Sequence, residues 1–372
     1  MRIGFIGLGK LGGPVVEAMA EAGHDVVGYD VNGSGVETIK EAVSQREIVF
    51  VAVPTPHDPL YDGKYVCSDL EPKNFDYSIV QEVLKEADKH MQQDQILVLI
   101  STVLPGTTTK HFAPLVKNAK FVYNPYLIAM GTVKADFLRP EMIMMGGDSD
   151  SMDRLESFYR DMCDCERYIR GTWEECESVK IFYNTFITTK ITLANMIQDV
   201  AMKIGNMNVD VVTDALAYST NRIMSPKYMK AGMGDGGSCH PRDNIALRWL
   251  AQEINLGYDL FDSIIKAREE QARNMANYLK ALSVLHGLPI VIVGKGFKPD
   301  VPYEDGSPSI LVAQFCEAEF DKFDEAAIFL TAHSRQTTFG KPNQDYEFPE
   351  GSIVVDPWRE REGAIWYGDT SP

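Results

Sequence analysis

Short apolar runs alternate with helical patterns along the first third of the chain. The run RIGFI at 2–6 predicts a buried strand, and after it come an apolar-periodic helix and a second strand, DVVGYD, that ends at Asp30. Strands alternating with helices are typical of a parallel α/β sheet. The pattern therefore predicts an α/β fold with an N-terminal Rossmann domain. Its further strands are predicted at EIVFVAVPTP (47–56), ILVLISTVLPGT (96–107) and AKFVYNP (119–125).

The pattern becomes helical from about Glu174, and the segment 178–203 is apolar nearly all round. Such a helix must be buried, often against another subunit, so we expect a homodimer formed through these central helices. A second helical region is predicted from about Asp243 to His286. Strands then return and indicate a second, smaller α/β unit. They are predicted at PIVIVG (289–294), AAIFLT (326–331) and SIVVD (352–356).

The length and charge of the chain limit its function class. Its 372 residues are more than one domain with a single hydrophobic core usually contains, which suggests two or three domains. A net charge of -17 argues against nonspecific binding to nucleic acid or to an anionic membrane surface. An anionic small molecule remains possible as a substrate, because it needs only a local patch of positive potential.

The chain shows no pattern of a membrane protein or of a secreted disulfide scaffold. No segment approaches the ~20 apolar residues of a membrane helix, and the N-terminal run lacks a signal-peptide cleavage pattern. The six cysteines are too sparse and irregular for a disulfide framework or a zinc site. We therefore expect a cytosolic protein with reduced thiols and no bound metal.

A glycine-rich turn, GLGKLGGP, follows the first predicted strand. Strand, GxGxxG turn, helix and an acid about 20 residues later form a dinucleotide fingerprint. The carboxylate of Asp30 would accept hydrogen bonds from the adenosine ribose and repel a 2′-phosphate, so the sequence predicts NAD rather than NADP. The alternative is a nucleotide-free doubly wound domain whose glycines serve packing only. The residues expected to hold the cofactor here are Gly7, Gly9, Leu11, Gly12 and Asp30.

Two of the later strands end in loops rich in proline or threonine, VPTP and STVLPGT. Ligands of an open parallel sheet sit beyond the carboxyl ends of its strands, so these loops are candidate walls of the site. The hydroxyl of Thr102 could contact a ligand, or it could simply satisfy the backbone at the strand end. The cofactor-binding residues expected in these loops are Val53, Pro54, Thr55, Ser101 and Thr102.

The motifs, taken in order, resemble the UDP-glucose/GDP-mannose dehydrogenase family along nearly the whole chain. GLGKLGGP, VAVPTP and STVLPGT are similar to its nucleotide turn and next two site loops, and KIFYNTFITTKI to the start of its central helix. GDGGSCHPRD is similar to its catalytic-cysteine loop, and GKGFKPD…SPSI to the opening of its C-terminal sugar-nucleotide domain. The resemblance implies oxidation of the primary alcohol of a nucleotide sugar, with UDP-glucose as the expected substrate, to a carboxylate with two NAD.

The resemblance also implies roles for individual residues. The thiol of Cys239 would add to the aldehyde that the first oxidation produces, and the adduct would then be oxidised to a thioester that water releases. Lys180 and Asn184, four apart on one helix face, would stabilise oxyanions at the reacting carbon. Asp243 would orient water or the reacting oxygen, and Thr102 would hold a water or the sugar hydroxyl. Without the resemblance, the cysteine would be a buried thiol near a helix start, and the lysine and asparagine surface residues.

The same resemblance places the substrate at the cysteine loop and in the C-terminal region. It implies three domains: an NAD-binding Rossmann domain (1–175), a central helical dimerisation and catalytic domain (176–285) and a shortened domain that binds the nucleotide sugar (286–372). The expected substrate-binding residues are Lys180, Asn184, Gly236, Gly237, Phe297, Lys298 and Arg222.

The chain departs from the family pattern at several positions. Where the family reads NPEFLxEG, this chain reads NPYLIAMG, so Tyr126 and Met130 replace two glutamates. The family assigns the first glutamate a part in activating the water that hydrolyses the thioester, and a tyrosine is poorly suited to that at neutral pH. Glu141 is interpreted as a structural turn residue rather than a replacement. The C-terminal α/β unit is shorter than the family's, and Asp305 stands near the place of a family arginine.

Two other functions remain open from the sequence. One is a two-electron enzyme of the β-hydroxyacid dehydrogenase type, which shares the glycine turn and a helix lysine but needs no GGSC loop. The other is a sugar-nucleotide binder with incomplete catalysis, which the replaced glutamates favour. The presence of Lys180, Asn184, Cys239 and Asp243 favours the dehydrogenase.

Overall fold

The chain forms two compact units, Met1–Ile191 and Thr192–Pro372. The division into three domains with boundaries at 175 and 285 stays a prediction. The computed structural model describes residues 1–56, 60, 64, 66, 68, 70–129, 131–234, 239–296, 303–334 and 346–370.

The first unit is built on a seven-stranded sheet with the order β2-β1-β3-β4-β5-β6-β7. Neighbouring strands are parallel except for β5 and β6, which are antiparallel. This arrangement confirms the predicted α/β class and the N-terminal Rossmann-like domain. The strands are β1 (Arg2–Ile6), β2 (Asp25–Tyr29), β3 (Ile48–Val51), β4 (Ile96–Leu99), β5 (Lys120–Tyr123), β6 (Ile143–Gly146) and β7 (Tyr168–Gly171).

Both faces of this sheet are buried, which explains why its strands are continuous apolar runs. In β3, Ile48 and Phe50 contribute to the hydrophobic core on one face, and Val49 and Val51 to the core on the other. The alternation follows from the two-residue period of a strand. Helices cover the two faces: α1 (Gly12–Glu21), α2 (Ile39–Val43), α3 (Ser78–Lys89), α4 (Val133–Leu138), α5 (Ser149–Met162) and the first part of α6 (Trp173–Ile204).

The strand order reverses at β1. The chain leaves β1 toward β2 on one side and returns through α2 to β3 on the other side of β1. Ligands of doubly wound sheets bind at such a switch point, beyond the carboxyl ends of the two strands. The segments that begin at Gly7 and Ala52 therefore border the expected ligand crevice.

A tight turn, which we call the edge turn, folds residues 30–36 back onto the end of β2. Tyr29 forms an antiparallel bridge with Gly35, and the Val36 N–H donates to the carbonyl of Gly28 over 2.8 Å. Gly35 has φ +85°, and a Cβ there would stand 1.9 Å from the Gly28 carbonyl oxygen. Only glycine fits this position without moving the turn.

The second unit carries a five-stranded parallel sheet with the order β12-β11-β10-β8-β9. The helical region predicted from Asp243 to His286 comprises two helices, separated by a break in which Asn255 and Gly257 have positive φ. The elements of this unit after α6 are α7 (Val209–Ala217), α8 (Cys239–Glu253), α9 (Leu260–His286), β8 (Ile290–Val293), α10 (Pro308–Cys316), β9 (Glu319–Phe320), β10 (Ile328–Thr331), β11 (Ile353–Asp356) and β12 (Ile365–Trp366).

The long helix α6 has 32 residues and several exposed apolar side chains. Even so, no helix in the described part of the chain is both long enough and apolar enough to cross a membrane. The cytosolic location stays a prediction.

Candidate active site

The glycine turn after β1 is tightly packed on one side and open on the other. Gly7 has φ +100°, and a Cβ on Gly12 would stand 1.8 Å from the carbonyl oxygen of Gly7. At Gly9, apart from its chain neighbours, no atom of the described residues lies within 4 Å of where a Cβ would stand. Helix α1 begins three residues later, at Gly12, and the backbone N–H groups and dipole at a helix start favour anions. The turn therefore fits a diphosphate.

Asp30 is held in a fixed orientation at the end of β2. One carboxylate oxygen accepts from the Leu8 N–H over 2.7 Å, and the other from the Asn32 N–H over 3.0 Å. Each carboxylate oxygen has two lone pairs, so acceptor capacity remains for the hydroxyls of a ribose. The same charge would repel a 2′-phosphate, which fits NAD rather than NADP.

A cleft of about 1050 Å³, which we call the nucleotide cleft, opens at the switch point. Its walls include the glycine turn, Asp30 and the segment after β3. This is room for a large ligand by the standard of small-molecule sites, so the described residues fit a dinucleotide. The predicted cofactor residues that line it are Gly7, Gly9, Asp30, Val53 and Pro54.

A second cleft of about 520 Å³, the inner cleft, adjoins the nucleotide cleft and shares Gly9, Val53 and Pro54 with it. Two hydroxyl groups join its walls. Ser101 Oγ donates to the carbonyl of Val53 over 2.5 Å, and Thr55 Oγ1 donates to the carbonyl of Thr102 over 2.8 Å. The other predicted residues that line the inner cleft are Leu11, Gly12, Thr55, Ser101, Thr102 and Lys180.

The loop after β4 is anchored to α6 by a buried carboxylate. Glu177 accepts from the N–H groups of Gly106 and Thr108 over 2.6 and 2.7 Å. Burial raises the pKa of Glu177, while the hydrogen bonds from Thr108 and Gly106 oppose that shift. The anchor couples the loop that carries Thr102 to the helix that carries Lys180.

Lys180 is half-buried and lines two clefts. Its Nζ donates to the backbone carbonyl of Tyr126 over 2.6 Å, and burial lowers its pKa. A third cleft of about 380 Å³, the side cleft, contains Lys180 together with Asn184, Tyr183 and Glu141. Lys180 therefore lies where the inner cleft meets the side cleft, and Asn184 lies one turn further along α6. The structure brings these two predicted residues together at one site.

Tyr126 directs its hydroxyl into the core instead of toward a ligand. The hydroxyl lies 3.0 Å from the hydroxyl of Tyr159, which in turn hydrogen-bonds to the side chain of Asn124. Burial raises the pKa of both tyrosines well above the ordinary range. Tyr126 cannot take the place of a carboxylate base; its backbone carbonyl holds Lys180 instead.

Cys239 is the first residue of α8 and is exposed. A helix N-terminus stabilises anions, which suits a thiol that acts as a nucleophile. Asp243 lies one turn later on α8 and pairs with Arg242 over 2.8 Å. These two residues belong to the second unit, whereas Lys180 and Asn184 belong to the first.

For the remaining predicted residues, the described part of the chain shows no contact with the clefts. Arg222 lies in an exposed turn after α7, where its carbonyl accepts from Ser225 Oγ, and its role stays a prediction. The other predictions of substrate contact lie outside the described residues, as does the departure at Met130. These positions are Gly236, Gly237, Phe297 and Lys298.

Asp30→Ala is expected to weaken NAD binding about tenfold to hundredfold, because hydrogen bonds to a charged group contribute about 1.5–3 kcal/mol. The preference for NAD over NADP should narrow as well, since the charge that repels a 2′-phosphate is gone. Calorimetric titration with both dinucleotides measures the two effects. Asp25→Ala, at the other end of β2, is the control and should change neither. Unchanged NAD affinity in Asp30→Ala would remove this residue from the site.

Comparison with known proteins places these features in one family. Residues 34–163 match the NAD binding domain of the UDP-glucose/GDP-mannose dehydrogenase family, and residues 174–270 match the central domain of that family. The UDP-glucose 6-dehydrogenase of Bacillus subtilis is 26% identical over 378 residues, which cover 90% of this chain and 81% of that protein. The GDP-mannose 6-dehydrogenase of Pseudomonas putida is 26% identical over 381 residues, which cover 93% of this chain and 84% of that protein.

Among solved structures, the GDP-mannose dehydrogenase of Pseudomonas aeruginosa, in a ternary complex, superposes with a TM-score of 0.80. It is 22% identical, and the match covers 96% of each chain. A UDP-glucose dehydrogenase of Pyrobaculum islandicum gives a TM-score of 0.52, also at 22% identity, over 95% of this chain and 93% of that one. These likenesses support the fold, and the relatives divide between UDP-glucose and GDP-mannose as the substrate in their names.

Proposed function

The chain belongs to the UDP-glucose/GDP-mannose dehydrogenase family, whose members are NAD-dependent nucleotide-sugar dehydrogenases, and from this premise we propose that it oxidises UDP-glucose to UDP-glucuronate. Membership sets aside the β-hydroxyacid dehydrogenase alternative. The base and the sugar belong to the proposal, because the relatives divide between two substrates.

The position of Lys180 is the observation that carries the proposal. This lysine lines both the inner cleft, which continues from the nucleotide cleft, and the side cleft, which has room for a separate ligand group. A substrate carbon at this junction could give up a hydride toward the nucleotide cleft. The cation would then stabilise the negative charge on the oxygen of that carbon. NAD, when bound, accepts the hydride in each of the two oxidations.

The residues of the chain then act on the substrate carbon in four steps. The alcohol first loses a hydride from carbon and a proton from oxygen to become an aldehyde. The Cys239 thiol adds to the aldehyde, forming a C–S bond and placing a proton on oxygen. Loss of a second hydride and of that proton gives a thioester. Water finally forms a C–O bond as the C–S bond breaks, which releases the carboxylate and restores the thiol.

Lys180 and Asn184 stabilise the oxygen on the reacting carbon in all four steps. The half-buried ammonium and the side-chain amide, fixed one turn apart on α6, donate to the oxygen whenever it carries negative charge. Asp243, one turn after Cys239 on α8, orients the water of the last step. Thr102, at the inner cleft, holds a substrate hydroxyl.

Product stoichiometry tests the proposal directly. Purified protein is mixed with NAD and limiting UDP-glucose, NADH is followed by absorbance, and the sugar product is identified by mass. Two NADH per sugar with free uronate is the expected result. The same yield from GDP-mannose and none from UDP-glucose would overturn the substrate but keep the reaction. If neither sugar nucleotide, nor a UDP-N-acetyl sugar, gives NADH while calorimetry still detects binding, the chain is a sugar-nucleotide binder.

We also propose that the protein is a homodimer paired through α6. Phe182, Phe186 and Ile191 are more than half exposed in the single chain, and Ile187 lies beside them. Apolar side chains in two adjacent rows of one helix favour burial against an equivalent surface. Light scattering on the purified protein should give twice the mass of the chain, and Phe182→Glu should reduce it to the monomer mass. A monomeric wild-type protein would contradict the proposal.

A further inference from the structure

The last step of the proposed reaction needs a base that removes a proton from water, and the side cleft offers one. We propose that Glu141 is this general base and that Tyr183 positions its carboxylate, an inference that rests on the proposed function. Glu141 lies between α4 and β6 and is exposed to solvent. It lines the same cleft as Lys180 and Asn184, the two residues expected to hold the reacting oxygen.

Tyr183 links Glu141 to the helix that carries the site. The Tyr183 hydroxyl donates to one carboxylate oxygen of Glu141 over 3.0 Å. Tyr183 precedes Asn184 and follows Lys180 by three residues, so the three side chains lie within one turn of α6. One oxygen of the carboxylate is thereby fixed, and the other remains able to accept a proton from water.

The second carboxylate of the side cleft is already committed to the local fold. One oxygen of Asp136 accepts both from the Ala129 N–H over 2.9 Å and from Thr132 Oγ1 over 2.7 Å. These hydrogen bonds hold the pKa of Asp136 below its ordinary value, so this carboxylate is poorly suited to take a proton from water. The charged groups that line the cleft with Glu141 are Asp136, Arg139 and Lys180.

The step balances without any further reactant. A water oxygen attacks the thioester carbon while Glu141 takes one of its protons. The C–S bond breaks as the tetrahedral adduct collapses, the thiolate of Cys239 leaves, and the product is a carboxylic acid that ionises. Glu141 then passes its proton to the thiolate or to solvent, and the enzyme is ready for the next sugar.

Glu141→Gln separates this step from the earlier ones. The amide keeps the shape of the side chain and can accept from Tyr183, but it cannot take a proton from water. With excess UDP-glucose and NAD, we expect a rapid burst of about two NADH per active site, followed by steady turnover about 100-fold slower or more. Mass spectrometry should then find the uronyl group on Cys239. Tyr183→Phe should retain the burst and slow the steady phase about tenfold, the effect of one lost hydrogen bond.

Asp136→Asn is the matched control, since it removes the same charge from the same cleft and should leave the steady rate close to that of the wild type. Glu141→Asp should recover part of the lost steady rate, which a purely structural role of the carboxylate would not predict. A normal steady rate in Glu141→Gln would overturn the inference while leaving the proposed function intact. Absence of NADH in the wild-type protein would instead overturn the proposed function.

Discussion

Replacing the exposed thiol at the start of α8 should stop the reaction before the carboxylic acid is formed. In Cys239→Ser, the first oxidation can still take place, because it requires no covalent bond to the protein. The serine hydroxyl holds its proton far more tightly than a thiol does, so the adduct that is oxidised in the second step no longer forms efficiently. We expect acid formation to fall about 1000-fold or more, and NADH to be produced only by the oxidation of the alcohol to the aldehyde. Parallel measurements of NADH and sugar mass show the difference.

Cys165→Ser provides the control for this substitution. Cys165 is a partly exposed free thiol in the first unit, and its Sγ lies 3.4 Å from the carbonyl of Arg167. Cys165 lines none of the three clefts described above, so its replacement makes the same atomic change outside them and should leave acid formation unchanged. Full acid yield from Cys239→Ser would refute the thioester route and require hydration of a free aldehyde.

Lys180→Met should have the second large effect. Methionine keeps most of the volume of the side chain but removes the cation at the junction of the inner and side clefts, which we propose acts on the reacting oxygen. Loss of one preorganised donor to an oxyanion costs about 100-fold to 1000-fold in kcat, so we expect a fall of that size with little change in NAD affinity. Lys190→Met, on an exposed part of the same helix, is the control and should retain activity. Equal losses in the two variants would indicate damage to α6 rather than to the chemistry.

The pH dependence of the wild type tests the same residue without a mutation. Burial lowers the pKa of Lys180, because the low-polarity surroundings disfavour the charged form. If the ammonium is the active form, activity is present below the lowered pKa and is lost as pH rises through it. The alkaline limb should therefore lie below the pH of about 10.4 at which an ordinary lysine loses its proton. A kcat profile should show this limb in the wild type and not in Lys180→Met.

The part of the fold that the sequence predicts best is governed by local patterns. The strand RIGFI occupies 2–6 as expected, and the glycine turn and Asp30 line one cleft because strand, turn and helix follow one another directly. The predicted strands that included VPTP and STVLPGT end earlier than expected, at Val51 and Leu99. Backbone hydrogen bonds with neighbouring strands continue only to Ala52 and Ile100, and beyond them the hydroxyls of Thr55 and Ser101 connect the two loops.

The features that the sequence does not reveal depend on contacts between distant segments. The sequence around Glu141 indicates a structural turn, and nothing in the neighbouring residues shows that Glu141 contacts Tyr183, which is 42 positions away. From the sequence, Glu177 resembles the other acidic residues at the start of α6, which favour a surface position. In the structure it is fully buried against a loop 69 to 71 positions earlier. The orientation of Tyr126 is hidden for the same reason, since its partner Tyr159 lies on α5.

The edge turn after β2 also bears on the behaviour of the protein at high concentration. β2 is the outer strand of the first sheet, and an outer strand offers unpaired backbone groups to any other chain. Residues 30–36 occupy the end of this strand through the Tyr29–Gly35 bridge, and at its beginning Asp25 forms an ion pair with Arg46. The turn that orients Asp30 thus covers one end of this strand, so we expect the carboxylate proposed to recognise the cofactor and the protection of this sheet edge to depend on the same few residues.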